Sequence, residues 1–150
     1  MSLKDIINQE LKDSMKSGNK VRLETIRSIR ALILEFEKSG IGRELTAEDE
    51  LKMLLSAAKK RKESIEQFRN AGRTELAEKE EAELKIIEEF LPKQLSVEEV
   101  KNEIKKIASE IGASTKEDFA KLMPSAVKAL KGKADGKQIK EIVEKILGIN

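Results

Sequence analysis

Apolar residues recur every three or four positions along almost the whole chain, and each such run ends at a glycine, a proline or a polar loop cluster. That period puts them on one side of a helix, whereas a half-buried strand needs strict alternation. Leu3, Ile7 and Leu11, with Ile6 beside them, form the first stripe, broken at Gly18 and Asn19. A second helix is expected over about Lys20 to Lys38 with Ile26, Ile29, Ile33 and Phe36 on one face, followed by the loop "SGIGREL". Thr46 with Asp49 reads as a capping-box variant that opens a third helix, whose stripe is Leu51, Leu54, Leu55, Ala58, Ile65 and Phe68 and whose end is "NAGR". A fourth, from about Thr74 to Phe90, carries Leu76, Leu84, Ile87 and Leu91 and is stopped by Pro92.

Ser96 and Glu99 form the next capping box, so "LPKQL" is the expected joint between two domains, 1–94 and 95–150. Beyond it, Val97, Val100, Ile104, Ile107 and Ile111 make one stripe, closed by Gly112. Phe119, Leu122, Met123, Val127 and Leu130 make another, opened by Ser114 or Thr115 and predicted to kink or restart at Pro124. Ile139, Ile142, Val143, Ile146 and Leu147 make the last. The pattern predicts an all-α protein: a four-helix N-terminal domain followed by a small three-helix C-terminal domain.

The composition removes whole classes of chemistry. With no Cys and no His there is no thiolate or imidazole, so serine–histidine, cysteine–histidine and zinc mechanisms are excluded. No residue pattern calls for a cofactor or a metal. The longest apolar run, Ala31 to Leu34, is far too short to span a membrane, and "MSLKDIINQELKD" mixes acids and bases unlike a signal peptide, so a cytoplasmic protein is expected.

Net charge is only +2, yet Lys121, Lys128, Lys131, Lys133, Lys137 and Lys140 gather in a stretch whose one acid is Asp135. "KGKADGKQ" lies within it. A Walker A loop needs four residues between its glycines and a hydroxyl residue after the lysine. Here three residues separate Gly132 from Gly136, and Gln138 follows Lys137. The bland alternative is a helix corner, with Gly132 left-handed, Asp135 as N-cap and Gln138 at the capping-box position. That explains the backbone and leaves the lysines as either solvated surface or a phosphate-backbone contact. The other basic run, "KKRKE" from Lys59, spreads around its helix and reads as solvated positions and i to i+4 ion pairs.

Glu80 and Glu83 share a face with Leu76, Leu84 and Ile87 and need partners at the edge of a buried stripe. A carboxylate metal site or an acid/base pair is one reading, but helical di-metal sites add a His that is missing here. Structural ion pairs are favoured, with Arg22, Arg27, Arg30, Arg61 and Arg73 as available partners.

Four stretches together, "RLETIRSIRALILEFE", "KKRKESIEQFRNAGRTELAEKEEAELKIIEEFLPKQL", "GASTKEDFAKLM" and "LKGKADGKQIKEIV", resemble the YqeY-like proteins over essentially the whole chain. These are stand-alone relatives of the C-terminal tail domain found in the aspartyl/glutamyl-tRNA amidotransferase, a glutamine-dependent carbon–nitrogen ligase. Phe90 stands where the family more often has Tyr. The resemblance implies a four-helix domain joined to a smaller helical one, and a tRNA-binding accessory module without catalysis of its own, since the catalytic domains of the amidotransferase are missing. It maps Lys131 to Gly136 onto the family's glycine-containing corner, so Lys128, Lys131, Gly132, Lys133, Gly136, Lys137 and Lys140 are the candidate RNA-binding residues. Arg27, Arg73 and Glu83 match positions the family pattern favours in the first domain. The alternative is a helical protein-interaction module whose partner would be an amidotransferase subunit or an aminoacyl-tRNA synthetase.

Overall fold

In the computed structural model, which describes residues 1–149, the chain is a series of helices, with no strand among the described residues. They are α1 (Leu3–Ser17), α2 (Lys20–Lys38), α3 (Ala47–Asn70), α4 (Thr74–Glu88), α5 (Val97–Ile111), a 3₁₀ turn (Lys116–Asp118), α6 (Phe119–Leu130) and α7 (Gly136–Ile146). The starts are chemically marked. Thr46–Asp49, Ser96–Glu99 and Ser2–Asp5 all form capping boxes, which satisfy amides that a helix N-terminus leaves orphaned. Gly112 ends α5 in the left-handed region at φ 70°, where a side chain would be strained.

Contacts divide the chain into two compact units, Met1–Leu91 and a second beginning at Pro92, rather than between residues 94 and 95. The physical reason is local: the Gln94 side chain donates to the Gly132 carbonyl and the Leu95 N–H to the Lys133 carbonyl, tying this segment to the second unit. In the first unit Ile7, Ile26, Ile29, Ile33, Leu54, Ala57, Ala58 and Ile87 form the core. In the second it is Val100, Ile104, Ala108, Leu122, Ala126, Leu130, Ile139 and Val143.

Three expected stripe members are exposed: Leu76 to 40%, Val97 to 60% and Val127 to 40%. Val97 is the first residue of its helix, and at the other two positions an adjacent alanine is buried instead. Ala77 replaces Leu76, and Ala126, between Leu122 and Leu130, replaces Val127. Alanines let helix backbones approach closely, and that approach fixes which face turns inward. α6 also runs through Pro124 without restarting. The carbonyl that loses its donor belongs to Ala120, which is exposed, so water can satisfy it.

The inward rotation of α4 brings its acids to the α3 side. Arg61 Nε lies 3.1 Å from Glu83 Oε2 and 3.4 Å from Glu80 Oε2, while its Nη2 donates to Ser28 Oγ at 3.4 Å. Arg61 thus leaves the solvated run expected for "KKRKE" and serves both carboxylates. Arg22 bridges Glu10 at 2.7 Å and Glu89 at 2.9 Å. Arg27 and Arg73 are exposed and form no ion pair among the described residues. Arg30 donates to the Asn8 amide oxygen instead of a carboxylate.

One guanidinium cannot neutralise two acids. Burial first, and then the Glu83 charge, raise the Glu80 carboxyl above its ordinary 4.5, with Arg61 opposing the shift. A carboxyl raised in the folded state binds more protons there than in the unfolded chain, so this group's contribution to stability falls as pH rises above 4.5. Glu80→Gln therefore melts higher than the parent at neutral pH and equal to it below pH 4.5, which thermal melts across that range would check. Arg61→Ala strands Glu83, which is 8% exposed, beside Glu80. Its expected cost in chemical denaturation is about 2 kcal/mol or more, below the roughly 3–5 kcal/mol of a fully buried pair because Arg61 keeps some solvent.

Candidate nucleic-acid interface

The corner between α6 and α7 is built from its backbone outward. α6 stops at Leu130 because Lys131 leaves helical geometry (φ −55°, ψ 123°) and Gly132 takes φ 79°. The turn then closes on the helix end, as the Lys133 and Ala134 N–H groups both donate to the Leu130 carbonyl, at 2.9 and 3.2 Å. Gly132 itself is buried. Its carbonyl accepts from Gln94 Nε2 at 2.6 Å, and the next carbonyl, of Lys133, accepts from the Leu95 N–H at 2.9 Å. Nothing in the sequence pattern singles out Gln94 or Leu95 as partners of residues 38 positions away. The one signal available is that "LPKQL" and "KGKADGK" both belong to the family-like stretches.

Asp135 caps α7, accepting from the Lys137 N–H at 3.3 Å. The expected capping box with Gln138 does not form: the short aspartate side chain takes the second amide of the helix, and Gln138 makes no bond back to it among the described residues. The Gly136 and Gln138 N–H groups have no acceptor among the described residues. Gly136 stands out further, because its φ is not in the left-handed region and a Cβ built there would meet nothing within 4 Å. The fold itself therefore gives no reason for glycine at a helical position where alanine is the better helix former.

The cations of this corner are exposed: Lys128, Lys131, Lys133, Lys137 and Lys140 all lie at the surface. Lys128, Lys133 and Lys137 form no ion pair among the described residues. Lys140, itself exposed, lies 3.9 Å from the half-buried Glu144 one turn on in its own helix, a separation long enough to tie the ammonium only weakly. The structure thus assembles Gly132, Lys133, Gly136 and Lys137 around one turn, with Lys128 and Lys140 on the flanking helices. Ammonium groups beside unpaired helix N-terminal amides can receive phosphate oxygens.

The first unit offers a different surface. A half-open cavity of about 560 Å³ there is lined by Lys4, Ile33, Glu37, Arg43, Glu44 and Glu50 among others. Its cations are already taken, Lys4 by Glu37 at 2.6 Å and Arg43 by Asp49. Among the described residues no group of three or more acidic side chains is placed to hold a metal ion, and no helix is long and apolar enough to cross a membrane.

Comparison with known proteins gives the same extent as the two units. The model of the family described as Yqey-like protein matches residues 4–147, from the first turn of α1 to the residue after α7. An uncharacterized protein of Schizosaccharomyces pombe (strain 972 / ATCC 24843) is 40% identical over 96 residues, covering 63% of this chain and 76% of that protein. The protein named Altered inheritance of mitochondria protein 41, mitochondrial, of Pyrenophora tritici-repentis (strain Pt-1C-BFP) is 31% identical over 145 residues, 95% of this chain and 79% of its own. With the match running through both units, the chain belongs to the YqeY-like family.

Proposed function

We propose that this YqeY-type helical module binds tRNA through the α6–α7 corner and performs no catalysis of its own. The observation that carries the reading is the set of exposed, acid-free lysines Lys128, Lys133 and Lys137 on a turn whose backbone is pinned from behind. Gly136 supports it, since a missing side chain at an open helix start admits a sugar–phosphate backbone to the amides. The chain has no Tyr or Trp and its four Phe belong to stripes and loops elsewhere, so recognition by base stacking is set aside in favour of shape and charge. In this reading the carbon–nitrogen ligase chemistry of the related amidotransferase stays with that enzyme's other domains. The cytoplasm is the compartment that goes with it; the Pyrenophora relative carries the word mitochondrial in its own name.

Isothermal titration with unfractionated tRNA at several salt concentrations tests the proposal. Contact with about four phosphates gives a log–log salt slope near −3. Replacing Lys131, Lys133 and Lys137 together by Glu weakens binding by about a hundred-fold or more at 0.1 M salt. No binding at low salt, or an unaffected triple variant, defeats the proposal. Capture of a protein partner that survives both high salt and ribonuclease would instead favour the interaction-module reading, with the exposed Val97 and Val127 as apolar contacts.

Gly136→Ala separates fold from function at one position. It raises helix stability by up to about 1 kcal/mol, measured by thermal melting, while weakening tRNA binding. Unchanged affinity would show that nothing approaches the α7 amides.

A further inference from the structure

Pro92 to Leu95 begin the second unit, and the corner holds them closely. Gln94 is half-buried and uses its amide nitrogen twice, donating to the Pro92 carbonyl at 2.8 Å and to the Gly132 carbonyl at 2.6 Å. Leu95 adds the backbone bond to the Lys133 carbonyl, and its side chain packs against the second core. Pro92 restricts its own φ. Lys93 therefore sits on a short length of chain fixed on both sides, one residue from a side chain that touches the corner's central glycine.

Lys93 itself has a side chain that is 83% exposed. The acid it meets is Glu99, at 3.8 Å, and that carboxylate is already engaged by the Ser96 N–H at 3.1 Å in the α5 capping box. A pair this long and open holds an ammonium weakly and leaves it available to a stronger anion. We infer that the polyanion-binding face of the second unit includes Lys93 as a further phosphate contact, with Gln94 as the positioning residue that fixes it beside Gly132 and Lys133. The inference rests on the reading of the corner as a tRNA-binding surface. It enlarges that surface from one turn to two chain segments 38 positions apart, joined by side-chain and backbone hydrogen bonds. Because the segment is ordered before any ligand arrives, contact through Lys93 does not require a loop to be immobilised on binding.

The test is titration of unfractionated tRNA against the full chain over a range of salt, with Lys93→Gln, Lys133→Gln, Gln94→Leu and combinations of these. Lys93→Gln weakens binding about five- to ten-fold at 0.1 M salt and makes the salt slope shallower by about 0.7–0.9, as Lys133→Gln does, while Lys93→Arg keeps both. Gln94→Leu, similar in size and without a donor, weakens binding too. On that background Lys93→Gln adds distinctly less than it does alone, whereas Lys140→Gln adds its full effect, which marks positioning rather than general loss of structure. Lys93→Gln changes an exposed side chain, so it reports even where Gln94→Leu fails to fold. Unchanged affinity and slope in Lys93→Gln, with Lys133→Gln still weakening binding, overturns the inference and leaves the corner standing. If neither lysine matters, the corner reading fails and this inference falls with it. Equal cost of Lys93→Gln on both backgrounds removes the role given to Gln94.

Discussion

The second unit depends on where the carbonyl groups of the α6–α7 turn are satisfied. A helix end and a tight turn expose acceptors, and acceptors at the surface would repel a phosphate. Here the Leu130 carbonyl is closed by the turn's own amides, and the Gly132 and Lys133 carbonyls are closed by Gln94 and Leu95. Those three carbonyls face donors inside the unit, while the lysine side chains and the first amides of α7 remain at the surface. The sign of the corner thus follows from the placement of its hydrogen bonds as much as from its lysine count.

The first unit manages charge in the opposite way. Ala57, Ala58 and Ala77 are buried on α3 and α4, and Arg61 of α3 reaches Glu83 and Glu80 of α4. Arg22 joins α1, α2 and the residue just after α4 through Glu10 and Glu89. The Arg22 guanidinium is held firmly in its charged form by these two carboxylates. Arg22 and Arg61, which could carry positive charge to a ligand, instead join helices to one another, whereas Arg27 and Arg73 stay exposed with no ion pair among the described residues.

Helix number, class and most boundaries are legible because period, caps and breakers agree: Thr46–Asp49 and Ser96–Glu99 close the boxes their spacing suggests, and Gly112 ends α5. The stripe members misplaced at Leu76 and Val127 share one cause. Periodicity defines a face to within about one residue, and close packing through Ala77 or Ala126 rotates that face off its larger neighbour, which sequence alone does not reveal. Pro124 reads as a breaker because the exposure of Ala120 is a tertiary fact. At the site, composition picks out the lysines and both glycines, and turn geometry picks out Gly132. Gln94 escapes both, since a polar residue in a loop carries no period and its partner is distant in the chain. Arg43 over the Phe36 ring, with its guanidinium on Asp49, is hidden for the same reason.

Asp135 brings these constraints to one point. The start of α7 needs an acceptor for its first amides, and aspartate supplies one, but it also puts a negative charge at the centre of the lysine corner. At physiological salt, charges act over about 8 Å, so the surrounding ammonium groups screen and outweigh that single acid only if they stay within such a distance of it. Gly132 and Gly136 bracket Asp135 and keep the turn short, which places Lys131, Lys133 and Lys137 within four residues of it in the chain. A longer loop would cap the helix equally well and dilute the field. Helix capping therefore accounts for the aspartate, and on the proposed tRNA-binding reading the short turn that the aspartate ends serves to keep cations dense around it.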